Sequence, residues 1–176
     1  MKIYLNEIKE EKKELERSIL KRAVREEFGL SELPVIVRNE KGKPYFEDKW
    51  LPYFNISHSG DYLAVVVSDV EVGIDIQEVG DNFERSLKTA KRFFSKEEAE
   101  EIERIAEEVS AEAANEYFFR LWTRKESYGK CLGAGVNPVI AEDMRDTEKK
   151  FFAGFVFTEE PAPEGYMITV CERKAN

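Results

Sequence analysis

Two carboxylates and a group of lysines stand in patterns that suit chemistry on a phosphate. In Asn115–Gly135, NEYFFRLWTRKESYGKCLGAG, helical spacing places Phe118, Leu121 and Trp122 in one apolar stripe. Glu126 and Lys130 continue from Trp122 in steps of four and stand one above the other, with Lys125 beside them. A carboxylate flanked by two ammonium groups can hold a metal ion and a phosphate together. The same spacing also describes an ordinary solvated pair worth about 0.2–0.5 kcal/mol, and the helix by itself favours that plainer reading. The second carboxylate is Asp75. It lies in Val70–Gln77, which alternates as a strand, with Val72, Ile74 and Ile76 on one face and Gly73, Asp75 and Gln77 on the other. An acid inside such a run opposes strand propensity. It serves either to guard a sheet edge or as a ligand, and the pattern does not separate the two.

Hard divalent cations such as magnesium take carboxylate, carbonyl and water oxygens, with one or two protein carboxylates plus substrate phosphates. Asp75 and Glu126, with Gln77 on the same strand face as Asp75, would supply such a set. Lys125 and Lys130 would neutralise phosphate charge. His58, the chain's single histidine, sits between Ser57 and Ser59. A lone histidine is more often a satisfied structural group than a catalyst, but its flanking hydroxyls make this one a reasonable phosphate contact.

The elements that must position these groups come from a chain of 176 residues, 42% hydrophobic and 12% aromatic, enough for one domain or two small subdomains. A net charge of −9 argues against nucleic acid as a partner. Cys131 and Cys171 are isolated, with no CxxC, so neither a zinc site nor a disulfide framework is indicated, and cytosolic thiols are expected. The N-terminus, MKIYLNEIKEEKKELERS, lacks the apolar region of a signal peptide. The longest apolar run, Tyr62–Val67, is too short to span a bilayer. A cytoplasmic protein, without membrane, is expected.

Met1–Ile8 reads as a strand and Glu10–Phe28 as a helix closed by Gly29. Val35–Val37 is extended, Asn39–Pro44 a polar turn, and Phe54–Ser59 with Tyr62–Ser68 a hairpin joined at Gly60-Asp61. Asn82–Phe94 is a helix. Ser95-Lys96-Glu97-Glu98 is a capping box that opens another, and Ser110 caps the long helix, which Gly133 and Gly135 end. Phe151–Thr158 and Tyr166–Glu172 form a closing hairpin. There is no internal sequence repeat and no GxxxxGK[ST] phosphate loop. The fold class is α+β.

With these residues in view, PYFNISHSGDYLAVVVS, EVGIDIQEV, AKRFFSKEEAEEI and LWTRKESYGKCLGAG, in that order, resemble the 4′-phosphopantetheinyl transferases. The likeness is strongest to the monomeric type that activates peptide and polyketide synthetases, including surfactin synthetase. It rests on G-I-D-I paired with W-T-x-K-E-S-x-x-K, together with N-x-S-H-S, and covers roughly Lys41 to Gly135. The resemblance implies two similar α/β halves related by a pseudo-twofold, residues 1–71 and 72–176, with coenzyme A in the cleft between them. It implies magnesium-dependent transfer of the phosphopantetheine arm from coenzyme A to a serine of an acyl or peptidyl carrier protein, with adenosine 3′,5′-bisphosphate released and manganese a possible substitute ion.

By the same resemblance Asp75 and Glu126 hold the metal, and Glu126 takes the serine's proton directly or through water. Lys130 steadies the pyrophosphate with Lys125 close by. Ser57, His58 and Arg17 lie near the 3′-phosphate and pyrophosphate, and Gly42-Lys43-Pro44 is the turn beside the adenine. Gln77 stands where many members have a third acidic ligand, and the N-terminus is short where others place additional basic residues. Lys88, Lys91, Arg92 and Phe93 could dock the carrier protein, although an amphipathic helix explains them as well. The readings from other classes are a coenzyme A- or nucleotide-binding module without catalysis, which would lack the metal carboxylates, and a metal-dependent phosphohydrolase, which would need more carboxylates or histidines.

Overall fold

The computed structural model describes residues 1–9, 11–145, 151–152 and 154–174. Among them the chain opens with β1 (Lys2–Glu7) and α1 (Lys12–Phe28), then β2 (Ile36–Arg38), β3 (Pro44–Phe46) and the hairpin β4 (Tyr53–Ser59)–β5 (Tyr62–Ser68). A second series follows: β6 (Val72–Glu78), α2 (Phe83–Phe93), α3 (Lys96–Glu108), α4 (Ala111–Leu132), β7 (Phe151–Phe152), β8 (Phe155–Glu160) and β9 (Tyr166–Arg173). The first series makes a sheet ordered β1-β5-β4, and the second makes one ordered β6-β9-β8-β7. In both, the opening strand pairs antiparallel with the closing one, which pairs in turn with its hairpin partner. The architecture is α+β, and the arrangement of strand, helix and hairpin recurs without a sequence repeat.

Alternation in β5 explains how the layers stack. Leu63, Val65 and Val67 face Leu15, Ile19, Leu20 and Val24 of α1, while Ala64 and Val66 face Ile74 and Ile76 of β6 and Ile168 and Val170 of β9. The opposite side of the second sheet, with Phe157 and Cys171, packs on Phe118, Leu121 and Tyr128 of α4. These side chains are almost wholly buried, the large aliphatic and Phe ones each contributing roughly 1.5–3 kcal/mol. The sequence therefore folds as helix, sheet, sheet and helices, with α4 on the outer face of the second sheet.

Local signals set the helix ends. Asn82 accepts a hydrogen bond from the Arg85 amide, Ser95 and Glu98 close a capping box, and Ser110 Oγ accepts from the Ala113 amide. Gly133 ends α4 in the left-handed region at φ 66°. The expected single strand over 151–158 is divided into β7 and β8, with Gly154 in a left-handed turn between them. The expected helix start at Glu10 and residue 153 lie outside the described residues.

The two sheets meet along a seam of side chains. β6 is an edge strand, and its Ile74, Ile76 and Glu78 amides donate to Asn55 Oδ1 (3.0 Å), Ser57 Oγ (3.2 Å) and Ser59 Oγ (2.9 Å) of β4. Alternate residues of β4 thus satisfy alternate amides of β6. That is why Asn, Ser and Ser stand two apart where a buried strand would otherwise carry apolar residues.

Candidate active site

The site forms where α4 crosses β6. Gly73, Asp75 and Gln77 share the face of β6 turned toward α4, and Gly73 lets the helix come unusually close. A Cβ at Gly73 would lie 2.9 Å from Cys131 Cα and nearer still to the Ser127 carbonyl and Cys131 amide. A buried hydrogen bond of 2.8 Å between Thr123 and Thr169 hydroxyls ties α4 to β9 on the same face. At this separation Lys130 reaches Asp75.

Asp75 is 1% exposed. Its Oδ1 accepts from Lys130 Nζ at 2.6 Å and from Ser57 Oγ at 2.9 Å, and its Oδ2 accepts from Gln77 Nε2 at 3.1 Å. Burial pushes its carboxyl above the usual carboxylate range, with Lys130 and the two neutral donors opposing that shift. Glu126 is half-buried and is likewise pushed up, first by burial and then by the negative charge of Asp75, with Lys130 again opposing. Asp75 is therefore ion-paired with Lys130, and Glu126 on α4 feels the charge of both. No group of three or more histidine, cysteine or carboxylate side chains capable of holding a metal occurs among the described residues.

A cleft of about 400 Å³ lies on the other face of β4, lined by Lys13, Glu16 and Arg17 of α1, Arg38 and Pro44 of β2–β3, and His58. Alternation sends Ser57 toward β6 and His58 into this cleft. The His58 ring nitrogen Nε2 lies 2.9 Å from Lys12 Nζ. Burial lowers the His58 pKa, as do Lys12 and Lys130, with Glu16 and Asp75 opposing, and an ammonium this close suits a ring nitrogen that accepts. Arg17 and His58 are thus brought together, with Lys13 and Arg38 as cations that sequence reasoning missed. The surplus of basic over acidic residues lining the cleft suits an anion.

Three expectations are corrected by the geometry. Lys125 does not stand with Lys130. It is fully buried on the α3 side, 2.8 Å from Glu98, over the Phe94 ring and bonded to the Glu142 carbonyl. The reason is helical drift. Each step of four advances about 40°, so Lys130 has rotated about 80° from Trp122 toward β6, while Lys125 lies about 100° behind Glu126. Ser57 is not open to a phosphate, because its hydroxyl donates to Asp75 while accepting from Lys130 at 2.8 Å and from the Ile76 amide. Lys43 does not turn its ammonium to the cleft. It caps α4, donating to the Cys131 carbonyl at 2.8 Å, while Asn39 donates to the Gly133 carbonyl. Only Pro44 of that turn lines the cleft. Glu98, read in the sequence only as a helix cap, also neutralises Lys125 and accepts from the Met144 amide.

On α2, Lys88, Lys91, Arg92 and Phe93 are exposed, with the Arg92 guanidinium over the Phe93 ring. Among the described residues no helix is long and apolar enough to cross a membrane.

Comparison with known proteins bears on the same residues. A profile of the 4′-phosphopantetheinyl transferase superfamily matches residues 71–171. The 4′-phosphopantetheinyl transferase psf-1 of Bacillus pumilus is 30% identical over 166 residues, which cover 89% of this chain and 68% of that protein. AcpT of Salmonella typhimurium is 38% identical over 117 residues, covering 65% of this chain and 57% of AcpT. Sfp of Bacillus subtilis is 38% identical over 98 residues, covering 56% and 41%. Both bear the same transferase name. The chain therefore spans little more than half of AcpT and less than half of Sfp.

Proposed function

Since the chain belongs to the 4′-phosphopantetheinyl transferase superfamily, we propose that it moves the phosphopantetheine arm of coenzyme A onto a serine hydroxyl of an acyl or peptidyl carrier protein. The observation that carries this reading is the ion pair of buried Asp75 on β6 with Lys130 on α4, one helical turn from Glu126, with a basic cleft on the other face of β4. The oxygen donors and the excess of carboxylates over ammonium fit a hard divalent cation, magnesium or manganese. Asp75 and Glu126 would hold it, with Gln77 as a weak ligand or the holder of a coordinated water. Bound there, such an ion supplies positive charge to the phosphate oxygens as the anhydride bond breaks.

The rest of the chemistry falls to the chain's own side chains. Lys13, Arg17, Arg38 and His58 receive the phosphorylated adenosine end of coenzyme A, orienting the anhydride toward Lys130. Lys130 offsets pyrophosphate charge. Glu126, whose proton affinity is raised by burial, takes the serine proton as the oxygen attacks phosphorus. The phosphoanhydride bond breaks and adenosine 3′,5′-bisphosphate leaves. Both halves lie within one chain, which supports a monomer, and the absence of a nucleic-acid footprint supports a protein acceptor. We place the protein in the cytoplasm, where carrier proteins are made.

The test is intact-protein mass spectrometry of an apo carrier protein incubated with coenzyme A and magnesium. The expected result is addition of one phosphopantetheine with the wild type and none with Asp75→Ala. No mass gain on any carrier protein tried, from fatty-acid, polyketide or peptide synthesis, would overturn the proposal.

A further inference from the structure

The oxygens of Asp75 are already engaged. A carboxylate offers about four lone-pair sites, and Lys130, Ser57 and Gln77 occupy three of them among the described residues. Ser57 and Gln77 are neutral donors on the strands. Ser57 is further held by the Ile76 amide in the seam. Lys130 differs from both. It brings the only charge, comes from α4 on a long flexible stem, and keeps 27% of its side chain exposed. Its ammonium also donates to Ser57 Oγ at 2.8 Å, but of the three donors it alone can swing out on its stem, giving up both bonds together.

Resting on the reading that Asp75 and Glu126 hold the metal, we propose that Lys130 is a resident cation of this site. In the protein without metal its ammonium supplies the positive charge that the divalent ion later supplies. As the ion and co-substrate enter together, it moves from Asp75 to the pyrophosphate. The argument is one of charge and space. An ammonium 2.6 Å from Asp75 Oδ1 and a divalent ion on the same oxygen repel each other, so the ion pair weakens metal binding to the free protein. A diphosphate gives the displaced ammonium another anion. Metal and coenzyme A then favour each other's binding, by the same factor in both directions.

The experiment measures Mn²⁺ binding by the loss of the free-ion electron paramagnetic resonance signal, without carrier protein, with and without coenzyme A. Lys130→Met should bind Mn²⁺ about tenfold more tightly than wild type in the absence of coenzyme A, the scale of one charge-assisted hydrogen bond. The tightening that coenzyme A produces in the wild type should shrink in this variant. Lys130→Arg, which keeps the charge, should stay near wild type. Far-ultraviolet circular dichroism and Tm confirm folding, and Lys130→Gln is read in the same way if Lys130→Met does not fold. Mn²⁺ affinity equal to or weaker than wild type in the uncharged variant overturns the proposal. Asp75→Asn separates the two levels. Mn²⁺ binding that survives it refutes the metal site itself, whereas Asp75-dependent binding unmoved by loss of the Lys130 charge refutes the resident cation alone.

Discussion

Gly73→Ala tests whether the close approach of α4 to β6 builds the active site. The added methyl would lie 2.9 Å from Cys131 Cα and closer still to two other main-chain atoms of α4, against ordinary contact at 3.4 Å or more. All three atoms belong to backbone, so no side chain can swing aside. The helix must retreat by on the order of 1 Å, and overpacking of this kind costs about 2–3 kcal/mol. For a domain of this size that lowers Tm by about 4–12 °C. The same retreat draws Lys130 and Glu126 away from Asp75, and a misplacement of about 1 Å can lower kcat about 10²-fold. The cleft containing Arg17 and His58 is built from α1, β2, β3 and β4 and stays in place, so KM for coenzyme A should rise only by what the displaced Lys130 and metal contributed, and the larger loss should fall on kcat. Thermal unfolding and steady-state transfer to a carrier protein, run well below Tm, measure both effects. Gly80→Ala is the control, since its Cβ would meet only the Phe119 ring at 3.7 Å. Wild-type Tm and kcat in Gly73→Ala would refute the reasoning. A lowered Tm with normal kcat would confine Gly73 to a structural role.

Glu126→Gln should abolish transfer yet raise Tm at neutral pH. The folded-state pKa of Glu126 is raised, so the folded protein binds its proton more tightly, and ionisation costs stability as pH rises from the unfolded value through the folded one. The Tm gain should therefore vanish below the unfolded carboxylate pKa, and a gain that persists there contradicts the assignment. Breaking the buried Lys125–Glu98 pair by Lys125→Met or Glu98→Gln should cost about 3–5 kcal/mol of stability with KM for coenzyme A little changed. A normal Tm with raised KM would return Lys125 to the phosphates. Arg17→Ala and His58→Ala should reduce the preference for coenzyme A over its 3′-dephospho form. Arg17 should have the larger effect because a guanidinium–phosphate contact is charge-assisted and worth about 1.5–3 kcal/mol, while burial favours the uncharged form of His58. Unchanged kcat/KM ratios would remove both from the cleft.

The elements were legible wherever the signal is local. The capping box at Ser95, the cap at Ser110, the hairpin at Gly60-Asp61 and the alternation around Asp75 all recur in the structure. Tertiary partners were not legible. Spacing put Lys125 beside Glu126, but only packing against α3 reveals Glu98 as its counter-ion. N-x-S-x-S reads equally as a phosphate contact or as a row of hydrogen-bonding groups. The choice depends on whether another strand's amides lie opposite, and those amides belong to β6, about 19 residues on. Lys43 could be assigned to the C-terminus of α4 only once the Asn39 turn was seen against Gly133.

The seam also fixes when the centre can come into being during synthesis. The strand carrying Asp75 has side chains of β4 along one edge and β9 as its main-chain neighbour on the other, where Asp75 is registered with Thr169. As the polypeptide emerges from the ribosome, α1 and the β4–β5 hairpin can fold first, with the Asn55, Ser57 and Ser59 side chains bonded to water. Asp75 acquires its bond to Ser57 only when β6 docks, meets Lys130 only after the stretch 55 residues further on is made, and has a paired strand only when β9 arrives. The pairing spans so much sequence that it must follow the local contacts. A nascent chain stopped before β9 thus contains every proposed metal-binding side chain and still lacks the paired sheet that sets Asp75 in place.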